Sequence, residues 1–478
     1  MRYFLLLIIL LIISCKKDIN FENQYASLEF SNDTIIFDTT FQSIGTSTQT
    51  LTVYNNNDFN IITNISLSTN ENGSFRINVD GIPLNEMENT NVNIKSNDSI
   101  FIFLEVTPSE NNMNSFLITN VLNFNTGGKN QDVKLVCPGK NAIFHILHDN
   151  FINDSITYKY YSISENTTWT NELPHVVYGQ VVVEPGVTLT IEEGTNIYFY
   201  SNSGIIVGNP IYSNNFGSSL IVNGSLNNKV IFQGIRFEEW YEDSPGQWNK
   251  IWITPGSVNN YITNAVIKNG NIGIHVDTVG NNSPTLILEN TIIQNMSNIG
   301  LLAQGSNVNA QNLVIRDCGQ YLVALNIGGN YNFTHCTFAN YWSYYQNRNR
   351  NTPSILLNNY YVGDDGNIYI RNLESANFTN CIIYGTLSTE ISFQENNSGN
   401  FNYNFQNCLI KLDPNTNLTN NYLDCIINKD PIFVDFEEGD LSLDELSPAI
   451  NSGVLLNDYL IDINGKTRVN PDIGAYER

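Results

Sequence analysis

A four-residue phrase, one polar residue followed by three small or apolar ones, recurs along the middle of the chain. It appears first as Asn264-Ala265-Val266-Ile267 and returns after intervals of 22 to 27 residues, with one longer interval of 45. The later occurrences begin at Asn290, Asn312, His335, Asn380 and Asn407. Repetition at such a period predicts a solenoid of stacked coils. We expect the interval of 45 to hold two coils, the second a degenerate one near Ile355–Asn358.

A different pattern precedes the repeats. Residues 26–140 alternate apolar and polar positions, as at 99–104 and 132–136, with a turn-forming cluster at 127–130. Several short strands at this spacing predict a β-sandwich. We therefore expect an all-β chain, with a β-sandwich at 26–140 and, at 141–166, a linker and the start of the solenoid.

Four short segments of the predicted sandwich resemble an immunoglobulin-like domain of the Hydin/choice-of-anchor type. They lie at 41–45, 51–56, 75–77 and 104–108. The resemblance implies a spacer or docking module.

The stretch 179–195 has the pattern of one complete coil. Three short runs rich in β-branched residues are separated by a Pro185-Gly186 corner and a Gly194-Thr195 corner. The stretch is similar to the opening coils of bacterial right-handed parallel β-helix repeat proteins, and this resemblance implies such a helix over 167–428. A leucine-rich repeat has a similar period. It requires leucine at fixed offsets, however, and isoleucine and valine dominate here.

Residues 429–478 carry a further resemblance. They are similar to the C-terminal segment of the choice-of-anchor Q family of β-helix proteins at Asp430-Pro431, 447–450, Gly465, Arg468 and 472–477. The resemblance implies a cap that closes the end of the solenoid, where a strand edge would otherwise be unpaired. Within this cap we expect Arg468 to pair with Asp472.

The first fourteen residues have the pattern of an export signal. Arg2 precedes an apolar run, 3–13, that is too short to span a bilayer. The sequence Ile12-Ile13-Ser14-Cys15 resembles the lipobox of bacterial lipoproteins, which implies lipidation of Cys15 and a membrane tether at 15–25. An ordinary signal peptide followed by a chance cysteine is the alternative. The charged residues 16–18 look like the surface-export tag of Bacteroidetes lipoproteins, which implies the outer membrane and, at its outer side, the cell surface.

The net charge of the chain limits the kinds of partner that it can bind. The chain has 46 Asp plus Glu against 22 Lys plus Arg, a net charge of −24. A field of this sign repels nucleic acids and other extended polyanions, which excludes them as main partners. Asparagine occurs 78 times; it tolerates left-handed turns and its amides can stack into ladders. Both properties suit a tight turn repeated once per coil.

Three cysteines, Cys336, Cys381 and Cys408, occupy the second position of the repeated phrase. Ala265 and Thr291 stand there in other coils. The pattern predicts small inward-facing residues stacked along the core, in preference to a disulfide framework.

The first candidate site is an acidic loop at 236–248. Its carboxylates share the loop with Trp240, Tyr241 and Trp248, so it could bind calcium or stack a sugar ring. The alternative is a solvated insertion whose tryptophans cover the side of the solenoid. The carboxylates are Glu238, Glu239, Glu242 and Asp243. They are also the residues on which a polysaccharide lyase or glycoside hydrolase would depend here.

The second candidate site is an aromatic set. Exposed rings on adjacent coils would form a stacking surface for neutral glycans, whereas the alternative is that the rings pack beneath the asparagine-rich loop at 346–352. The set comprises Tyr341, Trp342, Tyr344, Tyr345, Tyr360 and Tyr361.

These features predict a lipid-anchored outer-membrane module that presents a solenoid face to glycans or to a surface protein without catalysis. A glycan lyase or hydrolase is the alternative function. We assign no catalytic residue and expect no cofactor, with calcium as the one candidate ion.

Overall fold

The computed structural model describes residues 25–68, 73–84, 89–109, 115–153, 156–208, 217–277, 285–345 and 348–478. The chain forms two compact units that divide between Ala142 and Ile143. Within the described residues the regular structure is β-strand, apart from two short 3-10 helices at Glu239–Tyr241 and Trp342–Tyr344. The expected all-β fold class is confirmed. The export signal, Cys15 and most of the tether lie outside the described residues.

The first unit consists of two sheets that enclose one hydrophobic core. One sheet contains, in spatial order, Glu29–Phe30, Gln49–Asn55, Asp98–Pro108, Gly73–Val79 and Ile82–Leu84. The other contains Thr34–Ile36, Lys129–Lys140, Ser115–Thr126, Ile61–Leu67 and Asn89–Ile94, with Thr40–Phe41 also paired to Lys129–Lys140. Alternate residues such as Leu51, Ile65 and Ile102 are fully buried between the sheets. The predicted turn is also present, because Gly127 and Gly128 both have positive φ between paired strands.

The second unit is a solenoid with three faces, built from strands of successive coils that pair in parallel. Face 1 contains Ile143–Ile146, His175–Tyr178, Asn196–Phe199, Val230–Gly234, Ala265–Lys268, Ile292–Met296, Val314–Cys318, Thr337–Asn340, Ile382–Gly385, Leu409–Ile410 and Ile426–Ile427. Face 2 contains Ile156–Ile163, Gln180–Val183, Gly204–Val207, Ile251–Ile253, Ile272–Asp277, Ile355–Asn358 and Ile391–Gln394. Face 3 contains Thr167–Trp169, Thr188–Glu192, Ser219–Asn223, Asn260–Thr263, Leu286–Glu289, Leu373–Thr379, Phe401–Gln406 and Tyr422–Leu423. Two long strands continue from face 2 into face 3, Ile299–Gln311 and Val323–Thr334.

Three short pairings accompany the solenoid. They are the antiparallel pair Asp149–Asn153 with Ile156–Ile163, the hairpin Tyr360–Val362 with Ile368–Ile370, and the hairpin Phe433–Asp435 with Asp440–Leu443. Strands of the solenoid sheets therefore begin within 141–166, at Ile143–Ile146 and Ile156–Ile163.

The polar residue of the repeated phrase forms the corner between face 3 and face 1. All six occurrences have φ between 47° and 54°, a left-handed conformation that asparagine adopts at low cost. Amides at this corner also bond between coils, since Asn312 Nδ2 donates to Asn290 Oδ1 at 2.9 Å. The predicted tight turn is confirmed.

The interval of 45 residues holds one coil, so the prediction of two was wrong. The face 1 strand Thr337–Asn340 pairs directly with Ile382–Gly385, and Ile355–Asn358 belongs to face 2. The additional length is in two corner insertions, 341–354 and the hairpin at 360–370. An insertion at a corner lengthens a coil without disturbing the strand pairing, and sequence spacing alone does not distinguish this from an extra coil.

The predicted cysteine stack is confirmed. Cys336, Cys381 and Cys408 are free, fully buried and part of the central core cluster. Each thiol lies within hydrogen-bonding distance of a carbonyl oxygen on face 3, for example Cys381 Sγ and Phe333 O at 3.4 Å. Burial raises the pKa of the Cys381 thiol well above its usual range, so it stays protonated at neutral pH.

The C-terminal segment lies along the outer surface of face 1. This position differs from the expected one, which was a cap over the end of the solenoid. Val314, Ile382 and Leu409 point outward from face 1 and form a separate apolar cluster with residues of this segment such as Leu441 and Ile473. The segment is also bonded to several coils: Asn312 Nδ2 donates to Ile461 O, Asn380 Nδ2 to Val454 O and Ala475 N to Thr337 Oγ1. The outward apolar side chains explain the position, because face 1 must be covered on both sides.

Arg468 anchors this segment, but with a different partner from the one expected. Its guanidinium is fully buried and donates to Glu477 Oε2 at 2.8 Å and to Asn312 Oδ1 at 3.2 Å. Asp472 accepts hydrogen bonds from backbone amides instead.

A buried histidine pair lies at the first coils of the solenoid. His145 and His175 stack on Trp169, with ring centroids 4.4 Å and 4.8 Å from the indole. His175 Nε2 donates to Thr170 O, so its Nδ1 must accept the proton of His145 Nε2 at 2.9 Å. This arrangement requires His175 to be neutral, because one of its ring nitrogens donates and the other accepts. Burial lowers the pKa of His145 to about 3 and that of His175 to about 4.

Acid is therefore expected to destabilise the solenoid between pH 6.5 and pH 5. Both pKa values are lower in the folded chain than the unfolded value near 6.5, so the stabilisation is fully present above pH 6.5 and is lost as the pH falls toward the folded values. Between these two pH values the unfolded chain takes up protons at both histidines, whereas the folded pair takes up almost none, so the free energy of unfolding falls by about 3 kcal/mol. Urea unfolding of the protein at both pH values measures the loss. A variant with glutamine at both positions should lose about 3 kcal/mol less; an equal loss in both proteins would show that other groups are responsible.

Candidate functional site

The structure divides the predicted aromatic set between two corners of one coil. The rings at 341–345 lie in the insertion that leads from face 1 to face 2, and Tyr360 and Tyr361 lie in the hairpin that leads from face 2 to face 3. The two groups are separated along the chain by the strand Ile355–Asn358. They therefore do not form one row over adjacent coils.

Most of these rings hold the insertion in place. Tyr341 stacks on Phe436 of the C-terminal segment with centroids 4.1 Å apart. Trp342 is buried beneath the guanidinium of Arg348, 4.7 Å from its ring. Tyr344 is 52% exposed, but its hydroxyl donates to Glu437 Oε1 at 2.5 Å. The insertion is thus packed against the C-terminal segment.

The remaining members have similar contacts. Tyr345 donates to Glu437 O at 3.1 Å, and Tyr361 stacks on Tyr369 within the hairpin, with centroids 5.0 Å apart. Tyr360 is half-buried in the first strand of that hairpin.

The four carboxylates of the acidic loop do not converge. Glu238 is buried, and Arg236 Nε donates to both of its carboxylate oxygens at 2.9 Å. Burial alone would raise the pKa of Glu238, but the hydrogen bonds and charge of Arg236, together with backbone hydrogen bonds, outweigh it and lower the pKa. Glu239 and Glu242 are exposed, and Asp243, also exposed, accepts a hydrogen bond from Asn295 Nδ2 at 2.9 Å. Within the described residues no group of three or more His, Cys, Asp or Glu side chains is placed to hold a metal ion.

A different aromatic row occupies the corner between face 1 and face 2. Tyr178 is the last residue of a face 1 strand, and Tyr200 comes directly after the equivalent strand of the next coil. Tyr200 N donates to Val177 O at 3.0 Å. Their ring centroids are 4.7 Å apart, and the side chains are 47% and 39% exposed. Here, two exposed rings do lie on adjacent coils.

The acidic loop continues this row. Tyr200, Ser201, Arg236, Tyr241 and Gln247 line a recess with a volume of about 280 Å³. The Arg236 guanidinium lies 4.1 Å from the centroid of the Tyr241 ring. Gln247 Nε2 donates to the carbonyl oxygens of Tyr241 and Ser244, which fixes the loop around the recess.

Trp240 lies at the end of the row. Its ring centroid is 3.8 Å from that of Tyr241, and the side chain is 69% exposed. We call Tyr178, Tyr200, Tyr241 and Trp240 the corner row. It offers flat apolar surfaces beside hydroxyl and guanidinium donors, an arrangement suited to a ligand with both apolar faces and hydroxyl groups.

Sequence reasoning identified half of the corner row. Trp240 and Tyr241 were named with the acidic loop, whereas Tyr178 and Tyr200 were missed. Their separation of 22 residues equals one coil, and each follows an apolar run that ends a strand. A search for exposed aromatics at the solenoid period would have found them.

Comparison with known proteins does not assign the chain to a family. No family model matches the chain, and no curated protein matches it. Among solved structures it is similar to a PapD-like domain of human CEP192, with 12% identity, a TM-score of 0.17 and coverage of 26% of this chain and 91% of that chain. It is also similar to a family 123 glycoside hydrolase from Clostridium perfringens, with 10% identity, a TM-score of 0.19 and coverage of 25% and 28%. At these TM-scores neither similarity indicates the function of this chain.

The described residues contain no helix with the length and apolar character needed to cross a membrane.

Proposed function

We propose that the protein is a lipid-anchored, non-enzymatic module that binds neutral glycans on the corner row. The observation that carries the proposal is the exposure of rings on successive coils, Tyr178 and Tyr200, beside a recess lined by Tyr241. Sugar rings have an apolar face that stacks on aromatic side chains, and their hydroxyl groups bond to the polar groups at the edge.

The charge of the chain supports a neutral ligand. The net charge of −24 disfavours polyanions at long range. At the recess the one guanidinium, that of Arg236, is paired with Glu238. A neutral sugar needs no further charge at this site.

The remaining architecture fits a tethered binding module. The lipobox resemblance at Cys15 supports lipidation and an outer-membrane location at the cell surface. We infer that the first unit is the immunoglobulin-like spacer of the Hydin/choice-of-anchor type. We infer that the solenoid is a right-handed parallel β-helix, the hand that parallel crossover connections almost always take.

The test is a glycan array followed by titration of the best neutral oligosaccharide. Tyr200→Ala and Trp240→Ala are each expected to weaken binding about tenfold, equivalent to roughly 1.4 kcal/mol, because each removes an exposed stacking surface. Tyr344→Ala is the matched control, since this ring is comparably exposed and lies in the other aromatic set. It should leave the affinity unchanged.

Two results would contradict the proposal. Loss of binding in Tyr344→Ala, with Tyr200→Ala unaffected, would place the ligand on the aromatic set predicted from sequence. Release of unsaturated or reducing ends from any oligosaccharide that binds would identify a lyase or hydrolase.

A further inference from the structure

A second cluster of polar side chains lies on the outer surface of face 2. Trp252 is in register with His275 of the next coil, and Asp277 of that coil is in register with Gln304 of the one after. Lys250 reaches into the cluster, with its Nζ 4.6 Å from the Trp252 ring centroid. Neither the corner row nor the acidic loop includes any of these residues.

The hydrogen bonds fix the protonation of the cluster. His275 Nε2 lies 2.6 Å from Gln304 Oε1, an oxygen that can only accept, so Nε2 carries the proton. His275 Nδ1 is therefore an acceptor, and the Lys250 ammonium donates to it at 3.1 Å. Burial and the neighbouring Lys250 charge both lower the pKa of His275, which keeps the imidazole neutral.

One donor of the cluster has no acceptor, and another has only a neutral one. Lys250 bonds to a neutral imidazole, and no described carboxylate is within 4.0 Å of its ammonium. Trp252 Nε1 is buried and has no hydrogen-bond partner in the described part of the chain. A buried donor without a partner is unfavourable, so Trp252 would gain from an acceptor supplied by a ligand. Lys250 is half-buried and would gain from an anionic acceptor in place of a neutral one.

We infer that this cluster binds a carboxylate group, with one oxygen accepting from Lys250 Nζ and the other from Trp252 Nε1. A carboxylate matches one cation and one neutral donor. A dianion such as a phosphate group is disfavoured, because Asp277 contributes a negative charge nearby. The natural source would be a sugar acid, and the alternative source is a small free carboxylate ion. The inference does not depend on the corner row.

The test follows the indole N–H signals of the protein labelled with 15N-tryptophan. Sodium glucuronate, sodium acetate and glucose are titrated into it separately. The chain has five tryptophans, and the Trp252→Phe variant assigns the indole signal of interest. Glucuronate should shift the Trp252 N–H signal downfield in a saturable manner, and glucose should not. Tighter binding of glucuronate than of acetate would identify a sugar acid as the ligand; equal affinities would identify the carboxylate alone.

Variants separate binding from folding. Lys250→Met should weaken glucuronate binding at least tenfold, and Lys250→Arg should retain most of it, because the positive donor is kept. Lys268→Met, which removes a lysine from face 1, is the control and should have no effect. An unshifted Trp252 signal with both carboxylates, or unchanged affinity in Lys250→Met, would overturn the inference. Neutral glycan binding at Tyr200 is measured separately, so the two proposals can fail independently.

Discussion

Replacing Arg350 by methionine is expected to lower the free energy of unfolding by about 3 to 5 kcal/mol. Arg350 and Glu390 are both fully buried, and two guanidinium nitrogens donate to the two carboxylate oxygens at 2.8 Å. Ser354 and Leu387 donate further backbone hydrogen bonds to the same carboxylate. The substitution would leave this carboxylate buried without its cation, which is the costly outcome. Urea unfolding followed by circular dichroism at pH 7 measures the change.

A surface ion pair provides the comparison. Arg76 pairs with Glu105 in the first unit, but its side chain is 74% exposed, so Arg76→Met should cost less than about 1 kcal/mol. The double variant Arg350→Met with Glu390→Leu should recover at least half of the loss, because no charge remains buried. Equal losses in Arg350→Met and Arg76→Met would show that burial does not make the Arg350–Glu390 pair more costly to break than a surface pair.

Replacing Asn380 by leucine is expected to lower the free energy of unfolding by about 3 to 5 kcal/mol. The substitution leaves two backbone groups of Val454 without their partner and places leucine in a strained left-handed conformation. Asn380 is buried with φ of 54°. Its amide donates to Val454 O at 2.8 Å and accepts from Val454 N at 2.9 Å, which ties the corner to the C-terminal segment. Its Nδ2 also lies 2.9 Å from His335 Nε2. Urea unfolding gives the loss, and limited proteolysis should show faster cleavage within 429–478.

Two variants divide the effect into its causes. Asn380→Gly removes the hydrogen bonds but causes no backbone strain, because glycine adopts the left-handed conformation freely. It should therefore be less destabilising than Asn380→Leu. Asn264→Leu has the same backbone conformation, but Asn264 is half-buried and its amide bonds to Gly224 and Thr263 instead of the C-terminal segment. It should cost about 1 to 2 kcal/mol, mostly from strain, because water can replace the hydrogen bonds of this half-buried amide. A cost for Asn264→Leu as large as that for Asn380→Leu would contradict the anchoring role of Asn380.

The repeated corner could be predicted from sequence because one physical requirement governs it. A left-handed residue stands at the corner between face 3 and face 1 in each coil that carries the repeated phrase, and asparagine takes this conformation at Asn264, Asn290 and Asn312. His335 and Asp424 adopt the same conformation, so the pattern tolerates exchange among polar residues. The interval from His335 to Asn380 was misjudged because an inserted loop adds length without adding a corner.

The position of the C-terminal segment could also be predicted in part from sequence, because the repeated phrase contains an apolar residue that points outward. Each phrase ends in two apolar residues, and in a strand these point to opposite sides. Ile383 points into the solenoid and Ile382 points outward. An outward apolar side chain repeated from coil to coil indicates that another part of the chain covers face 1. Which segment does so depends on contacts over more than a hundred residues, such as Asn312 with Ile461, and spacing does not specify these.

The candidate sites were harder to predict, because an aromatic residue on a solenoid can point outward or pack beneath an insertion. Trp342 and Tyr344 are only two residues apart in sequence, yet the first is buried and the second is exposed. Periodicity identifies which residues share a corner, as for Tyr178 and Tyr200. It does not show whether an insertion covers them.

The most direct test of the central claim is a crystal structure of the protein with the neutral oligosaccharide that it binds most tightly. We predict sugar rings stacked on Tyr178, Tyr200 and Trp240, with hydroxyl groups near Ser201 and Arg236. An oligosaccharide bound at Tyr344 or Tyr361, or on a face remote from the corner row, would contradict the account.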